Sequence, residues 1–315
     1  MTKILLKLFD LLWAILVLPA AIVMRLSRRY GLSRLPLSRR LMVAIGIFPI
    51  VRHYYEPQFD GLFEYPLDHD RNLPGVDLNV KGQLEFLKSL NRGDELLDLT
   101  ARSLDSFGFA FGNGTFESGD AEFWYQLIRQ VKPARIYEIG SGNSTRLAMR
   151  AIKKNQEEDG DYSCRHLCIE PYEMQWLDSS GVEVIREKVE NLDLSLFEDL
   201  DEGDILFIDS SHIIRPQGDV LFEYLNILPT LKKGVIVHIH DIFTPKNYLA
   251  SWLIDDARLW NEQYLLEAFL TQNNNWKVLS ALNFLKHKYF EELNEICPFL
   301  RKDREPGSFY IQCIK

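Results

Sequence analysis

The sequence predicts an α/β chain: a doubly wound, seven-stranded, mostly parallel sheet of Rossmann-like type, with an N-terminal hydrophobic helix and a small helical cap. Three observations carry that expectation. Between residues 135 and 241, five short β-branched runs alternate with helical patterns, as in a parallel sheet buried on both faces. The first run leads at once into Gly140-x-Gly142 and a helix start, a corner whose glycines let backbone approach a ligand closely. Beyond residue 270, two more runs follow with only a polar segment between them, which suits an antiparallel edge pair.

The elements follow in chain order. Ile4 to Met24 is apolar over 21 residues apart from Lys7 and Asp10, and Leu11 to Met24 is an uninterrupted run of 14. The shorter run falls short of a full span, whereas the longer one crosses if Lys7 snorkels and Asp10 is neutralised. Six arginines (25, 28, 29, 34, 39 and 40) then follow with no acidic residue among them. They place the remainder of the chain in the cytoplasm under the positive-inside rule, and each adds roughly 1 kcal/mol near an anionic surface. No small-x-small cleavage site precedes them. Residues 1–30 are therefore expected to form a membrane anchor, either spanning the bilayer or dipping into it. A buried helix of a soluble domain is the alternative.

Residues 31–119 read as a basic, proline-containing connector (Pro36, Pro49, Pro57) and a helical cap. Turn signals at Leu73-Pro-Gly-Val76 and Phe111-Gly-Asn-Gly-Thr115 bracket an amphipathic pattern, Leu84, Phe86, Leu87 and Leu90. Tyr54, Tyr55 and Glu56 are placed to act as a lid. Residues 120–315 form the main domain. There Asp120 is expected to cap a helix over Ala121–Val131 that feeds the first strand, Ile136–Ile139. Further strands are expected at His166–Glu170, Val182–Ile185, Asp204–Asp209 and Gly234–Asp241. A helix is expected around Val220–Leu228, and a long one from about Tyr248 to Leu270. Trp276–Leu282 and Ser308–Ile314 close the sheet.

Composition narrows the function classes. A net charge of −9 and a pI near 5.4 argue against a general nucleic-acid binder. The four cysteines (164, 168, 297, 313) form no metal-ligand spacing and point to a reducing compartment. No feature of the sequence sets an oligomeric state.

In a doubly wound sheet, ligands sit at the carboxyl ends of the strands. Those ends carry Glu138-Ile-Gly140, Glu170, Glu190, Asp209 and His240-Asp241. A carboxylate closing an apolar strand needs a partner. The glycine turn lacks the third glycine of a dinucleotide fingerprint, and Glu138 suits a ligand with a cationic amine better than a pyrophosphate. Glu170 is placed to accept hydrogen bonds from both ribose hydroxyls of an adenosine ligand. It stands 28 residues after Gly142, beyond the usual ~20, and the polar insert Asn155–Asp161 accounts for the excess. His238 and His240 alternate onto one face of their strand. Asp209, His212, His240 and Asp241 converge on a site that either binds a divalent cation or uses a histidine as general base.

Taken together, these residues resemble the class I S-adenosylmethionine-dependent methyltransferases. The resemblance covers about residues 120–315 and is strongest at Glu138–Thr145, Asp204–His212 and Gly234–Asp241. The nearest subgroup is that of the small-molecule and macrolide-sugar O-methyltransferases. The resemblance implies S-adenosylmethionine as cofactor. Its methionine end would lie on Glu138, Gly140, Ser141, Gly142, Asn143 and Ser144, its ribose on Glu170, and its adenine beside Lys188-Val-Glu190, with Asp209 completing the pocket. It also implies Asp209, His212, His240 and Asp241 as catalytic residues, and Mg2+ on Asp209, His240 and Asp241. On this last point the chain departs from the catechol-type pattern, because His240-Asp241 stands where an Asp-Asn pair is expected. Oxygen is the implied acceptor atom, since no Asn-Pro-Pro-Tyr or Asp-Pro-Pro-Tyr run follows the fourth strand. The acceptor would be a small molecule, a sugar or a lipid-linked compound at the cytoplasmic membrane face. Two other readings stand beside this one. A nicotinamide-dependent oxidoreductase is disfavoured by the missing glycine and by the charge of Glu138. A membrane-anchored scaffold has no use for acidic strand ends.

Overall fold

The computed structural model describes residues 3–53, 55–97, 107–172 and 174–315. Tyr54 lies outside them, so Tyr55 and Glu56 are the described members of the expected lid. The chain divides into two units, Met1–Leu62 with Leu253–Leu259, and Phe63–Trp252 with Trp260–Lys315.

The first unit begins with α1 (Lys3–Tyr30), 28 residues whose most apolar 18-residue stretch has a mean hydropathy of 2.1 and no buried residue. Among the described residues it is the one helix long and apolar enough to cross a membrane. Gly31, at φ 103°, stops it. Proline then opens α2 (Pro36–Ile45), where the missing N–H costs nothing. Gly46, left-handed at φ 81°, closes it. Leu37, Leu41 and Ile45 repeat every fourth residue and are exposed. Glu56 is committed to a bridge with Arg28, whose guanidinium also covers the Phe48 ring.

The second unit holds the expected sheet. Its elements are α3 (Val80–Ser89), α4 (Asp120–Val131), β1 (Arg135–Ile139), α5 (Asn143–Glu158), β2 (Arg165–Ile169), β3 (Glu183–Ile185), α6 (Ser195–Glu198) and β4 (Ile205–Ile208). After them come α7 (Asp219–Phe222), running through a π turn into α8 (Leu228–Thr230), then β5 (Ile236–Ile239) and α9 (Glu262–Leu270). The chain ends with β6 (Trp276–Ala281), α10 (Leu282–Lys288), α11 (Phe290–Ile296) and β7 (Phe309–Cys313). The strand order is β3-β2-β1-β4-β5-β7-β6, with β7 antiparallel to both neighbours and the other pairs parallel. Strand alternation explains why the runs are apolar throughout. Ile205 and Phe207 of β4 pack on one side with Trp124 and Leu147, while Leu206 and Ile208 pack on the other with Tyr224 and Val237. The register sets the site. Ile139 pairs with Ile169 and Ile208, and Ile208 with Ile239. The next residues, Gly140, Glu170, Asp209 and His240, therefore line one edge of the sheet.

Three local expectations are corrected. Asp120 does not cap α4. Gly119 occupies that place, donating its N–H to Glu122 at 2.6 Å, while the Asp120 carboxylate accepts from the buried amides of Gly307 and Ser308 at 3.2 and 2.7 Å. The long helix from Tyr248 is instead a π turn at Ser251–Asp255 followed by a break and α9. Ala257 is left-handed at φ 52°, and the amides of Asn261 and Glu262 donate to the His212 carbonyl rather than to a preceding turn. Lastly, the segment between β6 and β7 is not merely polar. Leu282, Leu285, Leu293 and Ile296 bury the inner faces of α10 and α11.

Candidate active site

The first half of the site is the corner between β1 and α5. Gly140 takes φ 81°, and a Cβ there would stand 2.1 Å from the Asp209 carbonyl oxygen, so no other residue fits. Gly142 donates its N–H to Thr145 Oγ1 at 3.0 Å. Glu138 lies beneath the loop, fully buried. It accepts from Ser144 Oγ at 3.1 Å and Thr145 Oγ1 at 2.9 Å, while His166 Nε2 donates to its other oxygen. Burial opposes charge on His166, but its bonds with Cys168 and Glu138 prevail and raise its pKa to about 10. The pair is thus a buried ion pair that shapes the start of α5. Asn143 is tied to Thr115 Oγ1 at 2.9 Å.

Glu170 follows β2. Its carboxylate accepts from the amides of Ser141 and Tyr172 at 3.3 and 3.1 Å, which joins the second strand end to the glycine loop. Gly140, Glu170, Lys188, Glu190, Asp209 and Arg215 are among the residues lining one pocket of about 320 Å³, within the range of small-molecule sites. Ser141, Gly142, Asn143 and Ser144 build the adjoining loop rather than the pocket wall. The buried Ser141 hydroxyl makes no hydrogen bond among the described residues.

The second half meets the first at Asp209. His212 Nε2 lies 3.2 Å from Asp209 Oδ1 and 3.5 Å from Asp241 Oδ2, while its Nδ1–H donates to Glu262 Oε2 at 2.8 Å. Tyr224 donates to the other oxygen of Glu262 at 3.1 Å, and the Trp260 ring centroid lies 4.3 Å from that of His212. His240 Nδ1 stands 3.5 Å from both Asp209 Oδ1 and Asp241 Oδ1, and its Nε2 stands 3.8 Å from Asp120 Oδ2. His212 and Asp241 have φ of 58° and 60°, a conformation costing about 1–3 kcal/mol for such residues and concentrated at functional sites. Gly307 passes so near Asp241 that a Cβ would lie 3.1 Å from its Cα.

The electrostatics follow from crowding. Burial would raise the Asp209 pKa, but the adjacent His240 and His212 hold it far below the usual carboxylate range. Burial works against the charge on those two histidines, yet the surrounding carboxylates raise both well above an ordinary imidazole. Asp241 is raised, chiefly by burial. His238 differs. Burial lowers it, and it sits against Phe207, Trp124 and Tyr310, stacked on the last at 4.2 Å, as a neutral core residue.

Several roles were not legible in sequence. Glu262 is fully buried behind His212. Asn261 and Tyr248 are likewise occupied locally, accepting from the amides of Ile214 and Gln263. Arg215 lines the Glu170 pocket. No sequence signal linked Asp120 to Gly307, because the contact between them spans 187 positions.

Residues 137–242 match the family model of a methyltransferase domain. The segment is thus similar to a methyltransferase domain. It covers the glycine loop, Glu170, Glu190, Asp209, His212, His240 and Asp241, and leaves Glu262 and Asp120 outside. An uncharacterized protein of Archaeoglobus fulgidus is 32% identical over 141 residues, which is 42% of this chain and 62% of that protein. The chain thus spans less than two thirds of that relative. Similar solved structures include an O-methyltransferase from Bacillus cereus in complex with SAH, at 13% identity and a TM-score of 0.35, covering 73% of this chain and 91% of that one. Another is the MycE methyltransferase of the mycinamycin biosynthetic pathway with Mg and SAH, at 12% identity and a TM-score of 0.32, covering 61% and 48%. At such scores the assignment of the methyltransferase domain rests on the matched segment.

Proposed function

We propose that this chain transfers the methyl group of S-adenosylmethionine to a hydroxyl oxygen of a small-molecule, sugar or lipid-linked acceptor at the cytoplasmic face of a membrane. One observation carries the reading: Asp209 belongs at once to the wall of the 320 Å³ pocket and to the His212–His240–Asp241 cluster. A donor in the pocket and an acceptor at the cluster would therefore meet across a single residue. Bound there, S-adenosylmethionine supplies a methyl group activated by its sulfonium. Glu170 accepts from the ribose hydroxyls, Lys188-Val-Glu190 flanks the adenine, and Gly140 gives the approach that a side chain would block. The orphaned Ser141 hydroxyl fits a polar ligand at the loop. Glu138 serves by fixing the loop, since its oxygens are engaged by His166, Ser144 and Thr145.

Oxygen methylation requires loss of the hydroxyl proton. His212 Nε2 takes it, with Glu262 holding Nδ1–H and so the reactive tautomer. Donor atoms of Asp209, His240 and Asp241 lie within 4.8 Å of one another, and these residues would hold a divalent cation. Such an ion lowers the pKa of an acceptor hydroxyl. The membrane location is supported by α1 and by the arginines that follow it. Membranes from cells expressing the full chain should retain it through carbonate and high-salt washes, and release by carbonate would remove the spanning anchor.

Titration calorimetry tests the donor. S-adenosylmethionine should bind, NAD should not, and Glu170→Ala should weaken binding about 10–100-fold through loss of charge-assisted hydrogen bonds. Binding of NAD alone would favour the oxidoreductase, and binding of neither the scaffold.

A further inference from the structure

We infer that the cation site at the ends of β4 and β5 selects a first-row transition ion over Mg2+, and that His240 sets the selection. The inference rests on the methyltransferase reading only for the site's purpose, since the donor geometry stands by itself. His240 is 5% exposed, and neither ring nitrogen makes a hydrogen bond among the described residues. Unlike His238, which is ringed by aromatic side chains, this imidazole is orphaned among carboxylates, where a polar partner fits. Its two nitrogens face different surroundings. Nδ1 looks at Asp209 Oδ1 and Asp241 Oδ1, both 3.5 Å away and both too far for hydrogen bonds of ordinary length. Nε2 looks the other way, toward Asp120 Oδ2 at 3.8 Å. Asp120 is itself held by the amides of Gly307 and Ser308.

This is the arrangement of a metal-binding histidine. One nitrogen faces two carboxylates, and the other faces a carboxylate outside the donor set, 3.8 Å away, which is placed to orient the ring and raise its basicity once an ion is bound. The donor types then set the ion. Mg2+ takes oxygen ligands almost exclusively and gives up its water reluctantly. An imidazole nitrogen favours Fe, Co, Ni, Cu or Zn, whose affinities rise along the first row as far as Cu and fall at Zn. One nitrogen and two carboxylates make a poor Mg2+ site and a good transition-ion site. A second mixed cluster, Glu138 with His166 and Cys168, lacks this property. There the Glu138 oxygens are already taken by His166, Ser144 and Thr145.

The test uses the full chain, stripped by chelator, with Co2+ and Mg2+ as probes and no turnover required. Co2+ should bind more than ~100-fold tighter than Mg2+, with visible d–d absorption characteristic of nitrogen ligation. His240→Asp should bring the two ions within about tenfold of each other and change that spectrum. Asp120→Asn should weaken Co2+ about 10–100-fold with Asp209, His240 and Asp241 intact. Thermal unfolding of each variant separates loss of the site from loss of the fold. His240→Gln serves as a second replacement if the aspartate variant does not fold. Equal affinity for the two ions, or no binding of either at millimolar concentration, overturns the inference. S-adenosylmethionine titrated in the same samples keeps the readings apart, because donor binding without cation selectivity sinks only the ion assignment.

Discussion

Replacing His212 by glutamine lowers kcat roughly 10²–10⁴-fold, the usual contribution of a positioned general base, while S-adenosylmethionine affinity stays nearly unchanged. The separation follows from position. His212 is absent from the pocket wall that Glu170 and Glu190 share, yet its Nε2 lies 3.2 Å from Asp209. It is also the one histidine of the cluster with a buried carboxylate behind it at hydrogen-bond length, Glu262 at 2.8 Å. Its pH signature has a definite sign. Burial pulls the His212 pKa down, but Asp209, Glu262 and Asp241 more than reverse that and raise it well above the ordinary 6.5. A base must be deprotonated to act, so kcat/KM should rise with pH through an apparent pKa above that of a free imidazole. The glutamine variant should lose this limb. Retention of more than about a tenth of the wild-type kcat would assign proton removal to another group.

The second large effect falls on stability, away from the chemistry. Arg129→Met is expected to cost about 3–5 kcal/mol in urea unfolding, the range for breaking a buried charge pair from one side. The Arg129 side chain is fully buried between α4 and α5. It donates to both oxygens of Glu95 at 2.8 and 3.1 Å, to Glu158 at 2.5 Å and to Asn155. Tyr125 adds a further donor to Glu95 at 2.6 Å. Burial alone would raise the Glu95 pKa, but these bonds outweigh it and bring it from 4.5 down to about 2. A carboxylate depressed in the folded state contributes stability that is present above its unfolded value and lost as pH falls. Wild-type stability should therefore decline between about pH 4.5 and 2 through this group, and the variant should lose that part of the decline. A variant as stable as wild type at pH 7 would show the network to be dispensable. The effect also bears on the site, because α5 begins at the glycine loop and Arg129 reaches its far end through Asn155 and Glu158.

Much of the candidate site was readable because it is local in the chain. The residue after an apolar strand has nowhere to go but the sheet edge, so Gly140, Glu170, Asp209 and His240 could be placed by counting. The turn at 140–142 showed itself by composition alone. The misplaced roles belong to residues whose partners are remote. Asp120 stands where a helix cap is expected, and no local pattern shows that two amides almost two hundred positions later compete for its oxygens. Glu262 stood in a segment with a strong helical pattern. Its helix begins only there because the His212 carbonyl draws off the preceding amides.

The sequence by itself determined the sheet, its helical layers, the glycine corner and the line of acidic strand ends. Those follow from periodicity, propensity and the steric freedom of glycine, all of which act over a few residues. Tertiary structure alone decided what each polar side chain does. Glu138 became the partner of His166 beneath the loop, Glu262 the support of His212, and Asp120 the carboxylate facing His240. The physical reason is that a buried charge takes its state from every group packed against it, and those groups are brought together only when the sheet closes.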